Sequence, residues 1–353
     1  MNNRSFLTAV CLSFVIILFQ AKSYSQTISE TLSHLSSDAA TKYVEPGVTS
    51  FGANMTGGWF SGAPSPTVAG LHIKARLVAV GSFFSNEQRR FSSEGTFRYN
   101  AEQLEEILDA AGIYPTRNPE YEQLLNELIS RDWVIKFNGP TILGGSNNHL
   151  HIEFPGYEYE GENIGSFEQT IPEVNGFLGD LPFLPNPAIQ LDVGTVAGTN
   201  FSVRYFPEMT FEDLGKTYLW GIGLLHNPGL WFEEPLPIDL SAGFYYQKMK
   251  VGDVFKNDAY SFGLYISKKL GMIIYFEPYA GLTYESSKTN VNYTFVYDTP
   301  VGPVNANIDM DLKGENVVSF ILGGNLNLAV ISFNFNYKFA EISTMSAGIG
   351  FGF

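Results

Sequence analysis

Residues 345–353 read Met-Ser-Ala-Gly-Ile-Gly-Phe-Gly-Phe, and this stretch decides the fold. Met345, Ala347, Ile349, Phe351 and Phe353 alternate with Ser346, Gly348, Gly350 and Gly352 without a miss. A two-residue period puts successive side chains on opposite faces of a strand. One face here is bulky and apolar, and the other is small and polar. A barrel that crosses a membrane divides its strands this way, with large apolar groups toward lipid and small or polar groups toward the lumen.

Working back from the C-terminus, the same alternation recurs over 331–339, 318–327, 274–285, 259–267, 236–247, 218–224, 201–205 and 189–194, and once much earlier over 71–77. A water-soluble sandwich also alternates, but its polar face is the exterior and normally carries charge. The polar face here holds Gly, Ser and Asn far more than Lys or Glu. Segments 134–143 and 148–154 are candidates for two further strands. The expected fold is therefore all-β: a transmembrane antiparallel up-and-down β-barrel of about 10–14 strands. The polar stretch 284–317, with Pro300, Gly302 and Pro303 at its tip, is expected to project as a hairpin, and the connection near Gly271 to be a short turn.

The N-terminus agrees with export. Arg4 precedes the apolar run 6–19, and Ser23-Tyr24-Ser25 places small residues before a cleavage point at Gln26. Residues 1–25 read as a secretory signal peptide and are set aside from the fold. No later apolar run approaches the roughly 20 residues that a helical span needs. The only cysteine, Cys11, falls inside the signal segment, so the mature chain has no thiol chemistry. Arg4 and Lys22 are the only charged residues before position 26, which takes the formal net charge from −15 to −17 on maturation. That excess argues against nucleic acid as a partner. The final strand also resembles the C-terminal signal, here Phe351 and Phe353, by which barrel-assembly machinery recognises outer-membrane proteins. The expected location is the bacterial outer membrane, with its lipid as the surrounding partner.

Two regions do not read as barrel wall. In 26–65, Ile28, Leu32, Leu35, Ala39 and Tyr43 recur at helical steps, and Pro46 is expected to stop that helix. A Gly-rich stretch with Phe51, Met55, Trp59 and Phe60 follows, and its apolar spacing suits a plug in the barrel interior. Residues 66–353 form the barrel, interrupted by an insertion over 81–186. The insertion holds 17 acidic and 6 basic residues, with its densest run at 157–162. Asn100 and Gln103 make a capping box for one short helix carrying Leu104, Ile107, Leu108 and Ala111 and closed by Gly112. Asn118 and Pro119 start a second with Leu124, Leu125, Leu128 and Ile129. The insertion is expected outside the cell, or as a lumenal plug.

Few residues suggest chemistry. His149 and His151 alternate with Glu153 and are weak candidates for a metal; a polar strand face explains them as well. The glycines fall at strand period and form no phosphate-binding loop. No catalytic set, no cofactor and no enzymatic activity are expected. The lumen is more informative. Alternation turns Lys74, Arg76, Arg204 and Lys338 inward, together with Asp192, Asp239, Glu277 and Glu285. Buried charges need partners, so the balance of signs points to a paired or plugged bore. Tyr245, Tyr265, Tyr275 and Tyr279 point the same way. The candidate lumen or ligand-binding residues are Lys74, Arg76, Arg204, Asp239, Tyr275, Glu277, Tyr279 and Lys338.

The run 184–194, followed by Ser202-Val203-Arg204-Tyr205-Phe206-Pro207 and by Gly221-Ile222-Gly223-Leu224-Leu225-His226, resembles a Bacteroidota outer-membrane protein family built on a domain of unknown function. More remotely, the chain is similar to long-chain fatty-acid transporter-type barrels. That resemblance implies an N-terminal hatch and passive movement or binding of small hydrophobic molecules. The chain departs from those transporters in its helical start and acidic insertion. The alternative is a closed barrel that serves as an anchor or partner-binding platform through 81–186.

Overall fold

The computed structural model describes residues 37–352 apart from 66–68, most of 98–119, short interruptions within 155–177, and 212–214, 235 and 300–301. In chain order the elements begin with α1 (Ser37–Met55), β1 (Ala69–Ser82), β2 (Arg90–Phe97), α2 (Tyr121–Ser130), β3 (Trp133–Pro140), β4 (Leu150–Phe154), β5 (Tyr157–Tyr159), β6 (Glu162–Ile164) and β7 (Phe167–Ile171). Then follow β8 (Leu184–Val196), β9 (Thr199–Phe211), β10 (Gly215–His226), β11 (Asp239–Val251), β12 (Phe255–Ser267) and β13 (Leu270–Gly271). The last are β14 (Ile274–Thr299), β15 (Gly302–Lys313), β16 (Val318–Leu328), β17 (Ile331–Phe339) and β18 (Thr344–Gly352).

Ten of these strands close into a barrel in the cyclic order β1-β8-β9-β10-β11-β12-β14-β16-β17-β18. Each is antiparallel to its neighbours, and β18 returns to β1 in a register running from Lys74↔Gly352 to Ser82↔Thr344. The alternating segments of the sequence supply all ten. Ile189, Leu191, Phe262, Leu264, Leu282, Phe335 and Phe351 stand on the outside. Gln190, Ser202, Gln247, Ser261, Ser319 and Asn334 are buried on the inside. With apolar groups out and polar groups in, the wall faces hydrocarbon.

Segments 134–143 and 148–154 do not add to the wall. They contribute β3 and β4 to a separate four-stranded sheet in the order β2-β3-β4-β7. Leu150 and Ile152 are buried on one face of β4, and His151 is exposed on the other. The alternation is real, but its apolar side packs on α1 and the β14–β15 hairpin rather than on lipid. Period alone does not say what covers a face.

Pro46 does not end the helix either. α1 continues through it to Met55. An interior proline removes one backbone bond and costs about 3 kcal/mol in a free helix. Here Tyr43, Val44, Val48, Thr49 and Ser50 around it are all buried, and tertiary packing overrides the local preference. Residues 28–36 of the expected helix, and the Asn100, Gln103, Ile107, Ala111, Gly112, Asn118 and Pro119 signals, lie outside the described residues. Leu104 and Leu108 pack with Leu124, Leu125, Leu128 and Trp133 in a small core of the insertion.

The chain before β1 threads the barrel from end to end. At its start, Ala39, Tyr43 and Val44 of α1 pack with Phe137, Ile142 and Leu150 of the insertion and with Val291, Met310 and Leu312 of the β14–β15 hairpin. Further along, Met55 packs against Leu219, Met249 and Ala259 of the wall. Asn227, beyond the other end of β10, donates to the Pro64 carbonyl at 2.8 Å. One end of the barrel, with the long connections, is thus capped by the insertion, the hairpin and the start of α1. The opposite end carries the short turns 197–198, 268–273 and 329–330, with Gly271 at a φ of 120° that suits glycine, and the longer 227–238 connection.

Candidate functional site

The middle of the bore is filled. Trp59 stacks on Tyr245 with ring centroids 5.0 Å apart, and Phe60 stacks on Tyr265 at 4.2 Å. Phe60 also meets Tyr279 edge-on at 4.7 Å. Tyr279 is held by amide donors from Asn336 at 3.0 Å and Asn334 at 3.2 Å. The Arg204 guanidinium lies 3.8 Å over the Trp59 ring. It donates to Gln190 Oε1 at 2.8 Å, to Gln247 Oε1 at 3.2 Å and to the Gly57 carbonyl at 3.0 Å. A cation on an aromatic face with its N–H groups satisfied is a stable way to bury charge.

Two ion pairs complete this layer. Arg76 Nε donates to Asp192 Oδ2 at 2.9 Å, and its Nη2 to the Trp59 carbonyl at 2.8 Å. Lys338 donates to Glu285 Oε2 at 2.8 Å, to Thr56 Oγ1 at 2.9 Å and to the Ala53 carbonyl at 2.9 Å. Each pair therefore ties the wall to the threaded segment. Asp192 and Glu285 are the acidic partners, and their place beside Arg76 and Lys338 could not be read from spacing because each pair joins strands distant in sequence.

The mouth at the short-turn end is polar and open. A cavity of about 310 Å³ is lined by Trp59, Lys74, Lys269, Tyr275, Glu277 and Asn325, among others. Glu277 Oε1 accepts from the Ala63 N–H at 2.8 Å and from Ser267 at 2.7 Å. Asp239 lies at this end too and accepts from Asn227 at 3.1 Å. Gly62 has a φ of 124°, and a Cβ there would sit 2.6 Å from Glu277 Oε2. Gly62→Ala is therefore expected to cost about 1–3 kcal/mol of barrel stability, seen as a lower urea midpoint.

The mouth under the cap is different in kind. A second cavity of about 310 Å³ is walled almost wholly by apolar groups: Val48 and Phe51 of α1, Ile142 and Leu178 of the insertion, and Phe206, Leu219, Met249 and Phe255 of the barrel. None of the sequence-derived candidates lies there. Pro185 and Pro187 also line it. They mark a parting of the wall. The β8–β9 ladder ends at Ile189↔Tyr205. Beyond that pair, β8 bonds only to β1, and β9 only to β10. Pro185, Pro187 and Pro207 stand along the two diverging edges, and proline has no N–H to give a ladder. The prolines were visible in the sequence, but the cavity between them needs the cap to exist.

His149 and His151 sit apart from both mouths, on the insertion. His149 Nδ1 is 3.1 Å from the Pro172 carbonyl, and His151 Nδ1 is 2.9 Å from Thr170 Oγ1. Among the described residues no group of three or more potential metal ligands forms. Phe351 is exposed on the outer wall, and Phe353 lies outside the described residues.

A search of curated proteins finds no match. Among solved structures, the β domain of the Bordetella autotransporter Brka is similar at 10% identity, covering 81% of this chain and 100% of that one, with a TM-score of 0.30. A loop-deletion mutant of OmpT, an outer membrane protein of Vibrio cholerae, is 10% identical over 81% of this chain and 100% of that one, with a TM-score of 0.25. LpxR from Salmonella typhimurium is 8% identical over 78% and 99%, with a TM-score of 0.27. These likenesses are outlines of barrels, and the closure of this barrel rests on its own strand pairing. A model of a family of unknown function, DUF6588, matches residues 1–353, and the chain belongs to that family.

Proposed function

We propose that this protein is an outer-membrane barrel that binds a small hydrophobic molecule in the apolar cavity under its cap and exchanges it with the outer leaflet. In barrels of this type the long connections face outward and the short turns face the periplasm, which puts the cap outside. The observation that carries the reading is the apolar cavity at the parted wall. An apolar cavity of about 150 Å³ stays dry and takes a benzene, so this one, about twice as large, has room for a substituted ring or short alkyl chain. The outward rings of Tyr205, Trp220, Tyr246, Tyr260 and Tyr284 lie close to the level where the ladder parts. On β11 and β12 the row that continues from Trp220 turns charged, with Lys248 and Asp258 3.3 Å apart. An aromatic belt of this kind marks the lipid–water boundary, so the parting opens where an amphipathic molecule collects. Lipid is the surrounding partner, and the β18 strand is offered to barrel-assembly machinery. The reading assigns no catalytic step.

The test is binding of N-phenylnaphthylamine, a dye that fluoresces in apolar sites, to the folded mature protein. Saturable binding is expected, with at least tenfold weaker affinity in Leu219→Trp and Met249→Trp, which fill the cavity. Equal affinity in folded variants would remove the reading. The filled bore favours a second reading, a closed platform that captures a partner through the insertion. A partner that co-purifies with the intact protein, is lost when 95–165 are deleted, and is still captured by folded Leu219→Trp and Met249→Trp would select it.

A further inference from the structure

We infer that the short-turn mouth holds a separate binding site for a compact oxyanion, carboxylate or phosphate, centred on Lys74 and Lys269. The argument is an accounting of hydrogen-bond valences. Lys74 is only 7% exposed, yet among the described residues its ammonium makes no hydrogen bond and no ion pair. It lines the 310 Å³ cavity at this mouth. Lys269 lines the same cavity and makes one long contact, 3.4 Å to the Ala63 carbonyl. Beneath them, Arg76 Nη1 is buried without a partner.

The unpartnered acceptors nearby are fewer than the unpartnered donors. Asp192 Oδ2 takes Arg76, and Oδ1 takes Gln190 and Ser202, each at 2.6 Å. Glu277 Oε1 takes two donors, which leaves its Oε2 and the unpartnered Asn325 Oδ1 on the cavity wall. Asp192 cancels Arg76, and Glu277 together with Asp239 at the same mouth balances the two lysines, so what the cavity keeps is an excess of donors over acceptors. A buried ammonium without a partner is costly, whereas N⁺–H···O⁻ bonds to an oxyanion are short and strong. The layer of Trp59, Phe60, Tyr265 and Tyr279 closes the inner side of the cavity, so this site is distinct from the apolar one and its ligand comes from the periplasmic face.

Calorimetric titration of the folded mature protein with succinate, and separately with inorganic phosphate, tests this. One-to-one saturable binding of at least one probe is expected, tighter than about 1 mM. Whichever probe binds identifies the head group. Lys74→Met and Lys269→Met are expected to weaken binding tenfold or more. Lys250→Met, which removes a half-buried lysine paired with the exposed Asp253 at the other end of the barrel, leaves it as in the parent. Should Lys74→Met misfold, the parent protein suffices: acylation of Lys74, read by mass spectrometry, slows when the bound probe is present. No saturable binding of either probe, undiminished binding in folded Lys74→Met, or labelling of Lys74 that ignores the probe would each overturn the inference. The dye-binding result bears only on the other cavity, so either reading can fail alone.

Discussion

In a planar bilayer the intact protein is expected to be silent, and removal of residues 26–65 to produce steady conductance. The middle of the bore is filled by side chains of the threaded segment against the wall, with Trp59 stacked on Tyr245 and Phe60 on Tyr265. Without the thread, Arg204 and Lys338 lose the Gly57 and Ala53 carbonyls that help satisfy them, and water takes their place. Lys74, Arg76, Arg204 and Lys338 then face Asp192, Asp239, Glu277 and Glu285, so the opened pore is expected to discriminate only weakly between cations and anions. Trp59→Ser with Phe60→Ser is the milder companion, since it keeps the backbone of the thread and removes two rings of the seal. Conductance from the intact protein equal to that of the truncated one would show that the thread does not block the bore.

Glu285→Leu is expected to cost about 3–5 kcal/mol of barrel stability, read as a lowered urea midpoint in detergent or lipid, because it strands the Lys338 ammonium in a buried site. The cost is not that of the ion pair alone. Lys338 also donates to Ala53 and Thr56, so the uncompensated charge lies where the thread meets β14 and β17. Replacing both partners, Glu285→Leu with Lys338→Met, is expected to recover most of the loss, since an apolar pair of similar volume needs no counter-charge. Thr56 then keeps only its backbone bond to the Ala53 carbonyl. A double variant as unstable as the single one would mean that the two groups do not depend on each other, and that the loss comes from packing.

The sequence by itself determined the wall. Side-chain alternation is a local property of the extended chain, so each of the ten barrel strands announces itself over about five to twelve residues without reference to any other. It also determined which charges turn inward, for the same reason. Pairing of those charges was beyond it, because Arg76 meets Asp192 and Lys338 meets Glu285 only after strands far apart in sequence close into a ring. The same locality misled at β3 and β4, whose alternation matches a barrel strand although their apolar face meets α1 and the β14–β15 hairpin. It misled again at Pro46, where burial of the flanking residues outweighs a single missing backbone bond. Only the tertiary structure decided that the N-terminal segment runs the length of the bore. The parted β8–β9 ladder and the apolar cavity under the cap were likewise hidden. A cavity is space left between elements brought together from Val44 to Val291, and no stretch of chain carries it alone.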